Sequence, residues 1–468
     1  MFLHQNLIRI HPPKNKKYRS SAFKYLLEQS KSNLTYYPVF FKNMKIIPAF
    51  LILLGFGISA FAQEVGQPLP AWKEGFLDLH HINTGRGDAA FFVLPDGTTM
   101  LVDAGEATED DPRTLSERNT PRYPDTSKLA YEWIVDYIQQ FGPSSKESVI
   151  NYALITHFHS DHFGQTNSYG PVSKKGGYQL TGLVGVGDQL TIRKMLDRDY
   201  PDYKSSAVNF GKKEDLQKFV ASGNSTTNSY VNSILNYWKF LEFQKAENGM
   251  EVEKFTAGKL NQLHLKNAEN YPTFSIRNIQ GNGWSWTGVD EEVFDLKSNN
   301  ENDLSLGFKI SYGDFDYFTG GDIRGVGSYG EADFNSVESN IAPVIGPVDV
   351  ATLNHHGNRD SQNHFYVRTL RPRVWIQQSW SSDHPGDDVL RRITSTDLYP
   401  GKRDLFTTSM LEANKQVIGN RIDQVYGSTQ GHILIRVDSG GNSYRVFILN
   451  DLDAERKIKA IFGPYQSR

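Results

Sequence analysis

Thr156-His157-Phe158-His159-Ser160-Asp161-His162 decides how the chain is read. It follows directly on VINYALI (149–155), an apolar run of strand length. Four side chains able to bind a metal ion stand between positions 157 and 162, in a chain with only 13 histidines among 468 residues. His157 and His159 alternate, so they can face one ion together. Asp161 and His162 then turn toward a neighbouring ion. Imidazole and carboxylate are what Zn²⁺ accepts where thiolate is missing, and this chain has no cysteine. The same lack excludes disulfides, a cysteine nucleophile and a lipid anchor on cysteine.

Working outward, AAFFVL and TTMLVDAG flank a Pro-Asp-Gly turn (95–97) and predict a β-hairpin over 88–105. Asp103 ends it and is placed to accept a hydrogen bond behind the metal ligands. Asp88, in the Gly-rich turn Gly85-Arg86-Gly87-Asp88, reads as structural. Apolar residues at helical spacing predict a helix within 127–141. A second hairpin over 303–322 repeats the first and points to an internal duplication. Asp322 closes it after Gly320-Gly321, where one carboxylate could bridge two ions. VDVATLN (348–354) leads into His355-His356-Gly357, again at a strand end. Further strands are expected at 373–379 and 431–449, with a helix near 385–395. His384, after the strand VWIQQS, can contact substrate, and Asn302 can orient a substrate oxygen. Residues 165–300, rich in Gly, Asn and Ser, read as a large elaboration with one helix around 228–245. Its Asp197–Tyr203 stretch and its Trp284 and Trp286 either roof the site or pack an extra lobe. Strand–loop–helix alternation throughout gives an α/β class.

At the N-terminus, residues 44–62 have a secretory signal pattern: Met44-Lys45, an apolar run, then Ala60-Phe61-Ala62. Residues 1–43 read as an over-extended start, and the mature chain as 63–468. That chain keeps 41 basic and 52 acidic side chains, a net charge of −11. Periplasmic or secreted localisation is expected, with no stable membrane span after cleavage. The charge disfavours long nucleic acid, which needs a basic track. Lys174-Lys175, Lys212-Lys213 and Arg391-Arg392 are local basic candidates.

The motif HxHxDH, a preceding Asp103, a later Gly321-Asp322 and a strand-end histidine resemble the metallo-β-lactamase superfamily. The finer resemblance is to its competence-protein (ComEC-like) branch. It rests on Gly85-Arg86-Gly87-Asp88-Ala89, Asp103-Ala104-Gly105, Asn302-Asp303-Leu304-Ser305-Leu306, Thr319-Gly320-Gly321-Asp322, His355-His356-Gly357-Asn358 and His384-Pro385. It runs from about 76 to 450. It implies a four-layer αββα sandwich with metal at one edge of two sheets. It also implies that His157, His159 and Asp322 bind one ion, and that Asp161, His162, Asp322 and His356, or His355 in its place, bind a second. The sequence departs from the usual pattern in lacking a clear middle histidine; His264 is the one histidine between 162 and 322.

The cofactor implied is one or two Zn²⁺ ions, with Mn²⁺ as the alternative. Such ions lower the pKa of water toward 7 and stabilise developing charge. Asp161 and His384 are the candidate catalytic residues, His384 by donating to a leaving group or holding an oxyanion. Asp103, Asp88 and Asn302 would support the ligands or touch substrate. The branch favours a small-molecule or nucleotide-type phosphodiester or related phosphoester. A noncatalytic secreted binding protein and a lactone or β-lactam hydrolase are the alternatives.

Overall fold

Strands buried on both faces need a covering layer on each side. AAFFV (89–93) and TMLVDA (99–104) are such strands, buried at every position. The computed structural model describes residues 64–108, 117–143, 148–203, 229–260, 262–327 and 332–468. The signal pattern at 44–62, the 1–43 stretch and Lys212-Lys213 lie outside them. No helix among the described residues is long and apolar enough to cross a membrane.

In chain order the strands are β1 (Leu77–His81), β2 (Ala89–Val93), β3 (Thr99–Ala104), β4 (Val149–Leu154), β5 (Thr191–Asp197) and β6 (Glu251–Lys254). Next come β7 (Phe274–Gly281), β8 (Trp284–Trp286), β9 (Val293–Asp295), β10 (Gly307–Tyr312), β11 (Phe315–Thr319), β12 (Val350–Thr352), β13 (Val374–Gln377), β14 (Asp404–Thr407) and β15 (Tyr426–Ser428). The last are β16 (His432–Val437), β17 (Ser443–Leu449) and β18 (Ile458–Gln466). One sheet has the order β18-β17-β16-β1-β2-β3-β4-β5-β6 and the other β15-β14-β13-β12-β11-β10-β7-β8-β9. In each, an antiparallel hairpin (β2–β3, β10–β11) hands over to parallel strands (β4–β6, β12–β15). The hairpins at 88–105 and 303–322 therefore occupy matching places.

Parallel neighbours need crossovers, and helices supply them. These are α1 (Ala130–Phe141), α2 (Ser160–Phe163), α3 (Gly182–Gln189) and α4 (Ser229–Asn248), then α5 (Val337–Ile345), α6 (His364–Leu370), α7 (Asp387–Thr394), α8 (Glu412–Ile418) and α9 (Arg421–Val425). Helix α1 buries Tyr131, Ile134, Val135 and Ile138, one apolar stripe. Buried Glu106 accepts from the first backbone N–H groups of two helices, Ala130 at 3.0 Å and Gly182 at 2.7 Å. Carboxylates are favoured there by the exposed N–H groups and the helix dipole.

Three apolar layers separate four structural ones. Leu79, Phe92 and Met100 meet Phe308, Ile310 and Tyr317 between the sheets. Ile134, Leu183 and Trp238 cover the outer face of the first sheet. Ile341, Leu370 and Leu390 cover the outer face of the second. This is an αββα sandwich, the architecture of the metallo-β-lactamase fold.

The 165–300 stretch is more regular than its composition indicates. It supplies β5 and β6 to one sheet, β7, β8 and β9 to the other, and helices α3 and α4. Its edge strands are short and polar, as in EVEK (251–254), so they carry little apolar signal. Asp197 accepts from the hydroxyls of Tyr203 (2.7 Å) and Tyr237 (2.9 Å), and Trp284–Trp286 forms β8 at the edge of the second sheet. Asp197 and Tyr203 pack the sandwich, Trp284 is half-exposed on its edge strand, and none of these residues lines the site.

Candidate metal centre

The carboxyl ends of parallel strands point one way, so whatever follows β3, β4, β11, β12 and β13 gathers at one rim. There the chain turns sharply. Asp88 N donates to Asp161 O at 2.7 Å, and Gly105 N to Asp88 O at 2.7 Å. A Cβ on Gly87 or Gly105 would lie 2.1 or 2.0 Å from Asp161 O. The glycines of both motifs thus let two backbones press against the HxHxDH loop. Across the rim, Glu301 takes Phe158 N at 2.9 Å and a two-pronged contact from Arg198 at 2.8 and 2.7 Å.

Two groups of ligand atoms result: His157, His159 and Asp322 in one, and Asp161, His162, Asp322 and His356 in the other, each within 4.8 Å overall. Asp322 is common to both. His162 Nε2 is 3.1 Å from Asp322 Oδ1, and His356 Nε2 is 3.1 Å from Asp161 Oδ2 and 3.6 Å from Asp322 Oδ1. His157 Nε2 is 3.5 Å from Asp322 Oδ2 and 2.9 Å from His159 Nδ1. Donors about 2.0–2.2 Å from a tetrahedral ion lie about 3.3–3.5 Å from one another. The observed separations bracket that value. His162 Nε2 and Asp322 Oδ1 are also buried and, beyond their own 3.1 Å ion pair, make no hydrogen bond. Buried polar atoms are rarely left so, and a cation between them would satisfy both. The donor set fits a metal ion.

Outer contacts aim these rings. Asp103 accepts from Thr156 N and Oγ1 at 2.7 Å each and faces His162 Nδ1 at 2.8 Å. That directs Nε2 of His162 inward. His356 Nδ1 lies 3.0 Å from Asp88 Oδ1 and 3.2 Å from Gln378 O. The His355–His356 pair has left-handed backbone (φ 48° and 55°), and the bend separates the two rings. His356 joins the ligand group. His355 turns to Asp360 (Nδ1–Oδ1 2.7 Å) and Asn302 (Nε2–Nδ2 3.2 Å), with Asp322 Oδ2 3.9 Å away. His264 packs edge-on against Tyr152 and belongs to neither group.

Burial alone would raise Asp322, yet His162, His356, His355 and His157 around it hold its carboxyl well below the usual range. Asp161 is likewise opposed by burial and drawn well down by His162 and His356. Burial disfavours the charge of His162 and His356, but the carboxylates facing them raise both rings well above the ordinary imidazole value. Burial and the neighbouring His162 depress His157. The rim is an alternating lattice of opposite charges.

A cleft of about 610 Å³ opens over these groups. His384 lines it, stacked on His356 at 4.7 Å with an interplanar angle of 19°. Burial, then the His356 charge, pushes His384 down to about 3. The other walls include Asn302, Tyr230, Gln165, Arg118 and Trp380. Trp380 Nε1 donates to Asp161 Oδ2 at 3.0 Å. Trp380, Glu301 and Arg198 carry no sequence motif. Each reaches the site through contacts with residues far along the chain, and only a bulky residue beside the His384 strand end could have drawn attention to Trp380.

No protein-family model and no curated protein matches the chain. Among solved structures, a mutant of the CmlA β-hydroxylase aligns at 12% identity over 79% of this chain and 55% of its own, with a TM-score of 0.34; this chain spans little more than half of that protein. The metallo-β-lactamase fold protein YhfI from Bacillus subtilis aligns at 10% identity over 78% of this chain and 98% of its own, with a TM-score of 0.31.

Proposed function

We propose that this chain is an exported metal-dependent hydrolase of the metallo-β-lactamase superfamily, in its competence-protein branch, acting on a phosphodiester or related phosphoester. The observation that carries the reading is the pair of ligand groups meeting at Asp322, each with its donor atoms within 4.8 Å of one another. His157, His159 and Asp322 would hold one Zn²⁺ or Mn²⁺, and Asp161, His162, Asp322 and His356 a second. His356 takes this role over His355, which is committed to Asp360 and Asn302. When bound, such ions acidify water and neutralise charge developing on the electrophile.

The chain's own side chains do the rest. Asp103 keeps Nδ1 of His162 occupied so that Nε2 stays inward. Asp88 and Gln378 do the same for His356. His384, over the cleft beside His356, is placed to hold a substrate oxygen, and Asn302 to orient one. A cleft of about 610 Å³ takes an ester with organic substituents rather than a bare phosphate. The signal pattern at 44–62 supports export, and a mature charge of −11 supports a small substrate over long nucleic acid.

The test is elemental analysis of protein expressed from Gln63, run beside hydrolysis of bis(p-nitrophenyl) phosphate, for wild type and H159A. About two zinc per chain with turnover lost in H159A is expected. Zinc without turnover on any phosphoester, but with hydrolysis of a chromogenic cephalosporin or a lactone, would move the substrate class. A wild type that takes up no metal would leave a secreted binding protein.

A further inference from the structure

The members of the Asp161/His162/His356 group each have a further partner. The outer nitrogen of His162 has Asp103, and that of His356 has Asp88 and Gln378. Asp161 has Trp380, whose Nε1 donates at 3.0 Å to Oδ2, the oxygen that also faces His356 Nε2. We propose that Trp380 is a positioning residue that sets the orientation and donor strength of the Asp161 carboxylate. This rests on the reading of that group as a metal site.

An indole N–H can only donate, and it neither titrates nor binds an ion itself. Its contact with a carboxylate is therefore one fixed, charge-assisted hydrogen bond. The ring is buried and stands edge-on to His356 (6.3 Å, 87°) and His384 (5.9 Å, 81°), so it has little room to turn away. Its backbone is anchored by a segment from the other half of the chain. Trp380 O accepts from Thr120 N at 3.0 Å, Ser382 N donates to Arg118 O at 2.7 Å, and Asn119 bridges to Ser381. Thr120 in turn donates to Gly85 O at 3.0 Å and its carbonyl accepts from Arg86 at 2.7 Å. The glycine-rich turn that fixes the Asp161 backbone thus also fixes the residue that aims its side chain. Outer partners of metal ligands change affinity by roughly 10–100-fold when removed.

The experiment is a zinc titration of metal-free protein against a competing chelator, for wild type, W380F and W380Q. W380F keeps a ring and loses the N–H; W380Q gives up the ring and supplies an amide N–H that does not titrate. The expected result is two zinc sites in wild type, one of them weakened about tenfold or more in W380F and partly restored in W380Q, with the other site unchanged. The indole region of a ¹⁵N–¹H spectrum of the wild type gives a reading that needs no variant to fold. One of the seven tryptophan N–H signals should move as zinc is added and be missing in W380F. Two W380F sites within twofold of wild type, or seven indole signals indifferent to zinc, overturn the proposal. A wild type that binds no zinc overturns the metal reading itself and this proposal with it.

Discussion

Each sheet follows a hairpin with parallel strands, yet the equivalent strand ends do different work. Asp103 ends the first hairpin and Asp322 follows the second. Asp103 is enclosed by hydrogen bonds from Thr156 and faces the outer nitrogen of His162. Burial raises its pKa, and its neighbours offset only part of that. Asp322 faces the inner nitrogens of the histidines and is held well below the carboxylate range despite burial. After the fourth strand the halves diverge again. Asp197, ending β5, is sealed under Tyr203 and Tyr237, whereas the segment after β13 opens into the cleft with Trp380 and His384. A repeated backbone supplies places; the charges and donors facing each place decide whether its residue ligates, supports or merely packs.

The severest challenge to that asymmetry is D322N. Both ligand groups share Asp322, so both ions should be lost by elemental analysis, with phosphoester turnover down by about 10³-fold or more. Two zinc retained in D322N would mean that the halves are not divided as described. Next in size is G87A. The new Cβ would sit 2.1 Å from Asp161 O at a backbone φ of +132°, and neither backbone can yield cheaply. A loss of about 3 kcal/mol is expected from overpacking and strain together, read from the urea midpoint. A midpoint unchanged in G87A would show that the glycine turn does not brace the loop.

D103N tests the counterpart of Asp322. An amide can no longer meet Thr156 N, Thr156 Oγ1 and His162 Nδ1 as an acceptor at every contact. Zinc affinity at the His162 group should fall roughly 10–100-fold, while the His157/His159 group keeps its ion. If D103N emptied both groups as D322N does, the two aspartates would have equal roles and the contrast between halves would fail.

The site was legible where its ligands are close in sequence. HxHxDH puts four of them on one loop, and the Gly-Asp and His-His-Gly motifs mark strand ends by their turns. Two kinds of information were not local. The choice between His355 and His356 depends on two successive left-handed residues, which a strand-alternation rule does not foresee. Glu301, Arg198 and Trp380 each reach the site from far along the chain, through contacts with no periodic trace. The fold was legible through its hairpins and its long buried strands. Inside 165–300 only the helix at Ser229–Asn248 was, because three-residue strands such as β8 and β9 give no alternation to read.

His264 supplies the smallest expected effect and the cleanest control. It was the one histidine positioned in sequence to be a middle ligand, and the structure sets it against Tyr152, away from both groups. An edge-to-face ring contact contributes about 0.5–1.5 kcal/mol. H264A should therefore lower stability by about 1 kcal/mol in urea unfolding and leave zinc content and zinc affinity unchanged. A loss of zinc in H264A would mean that a ligand from the far end of the first sheet reaches the rim, and the division of ligands between the halves would have to be redrawn. If zinc binding stands, the three histidines of the HxHxDH loop, His356 from the turn after β12 and the two aspartates suffice for both groups.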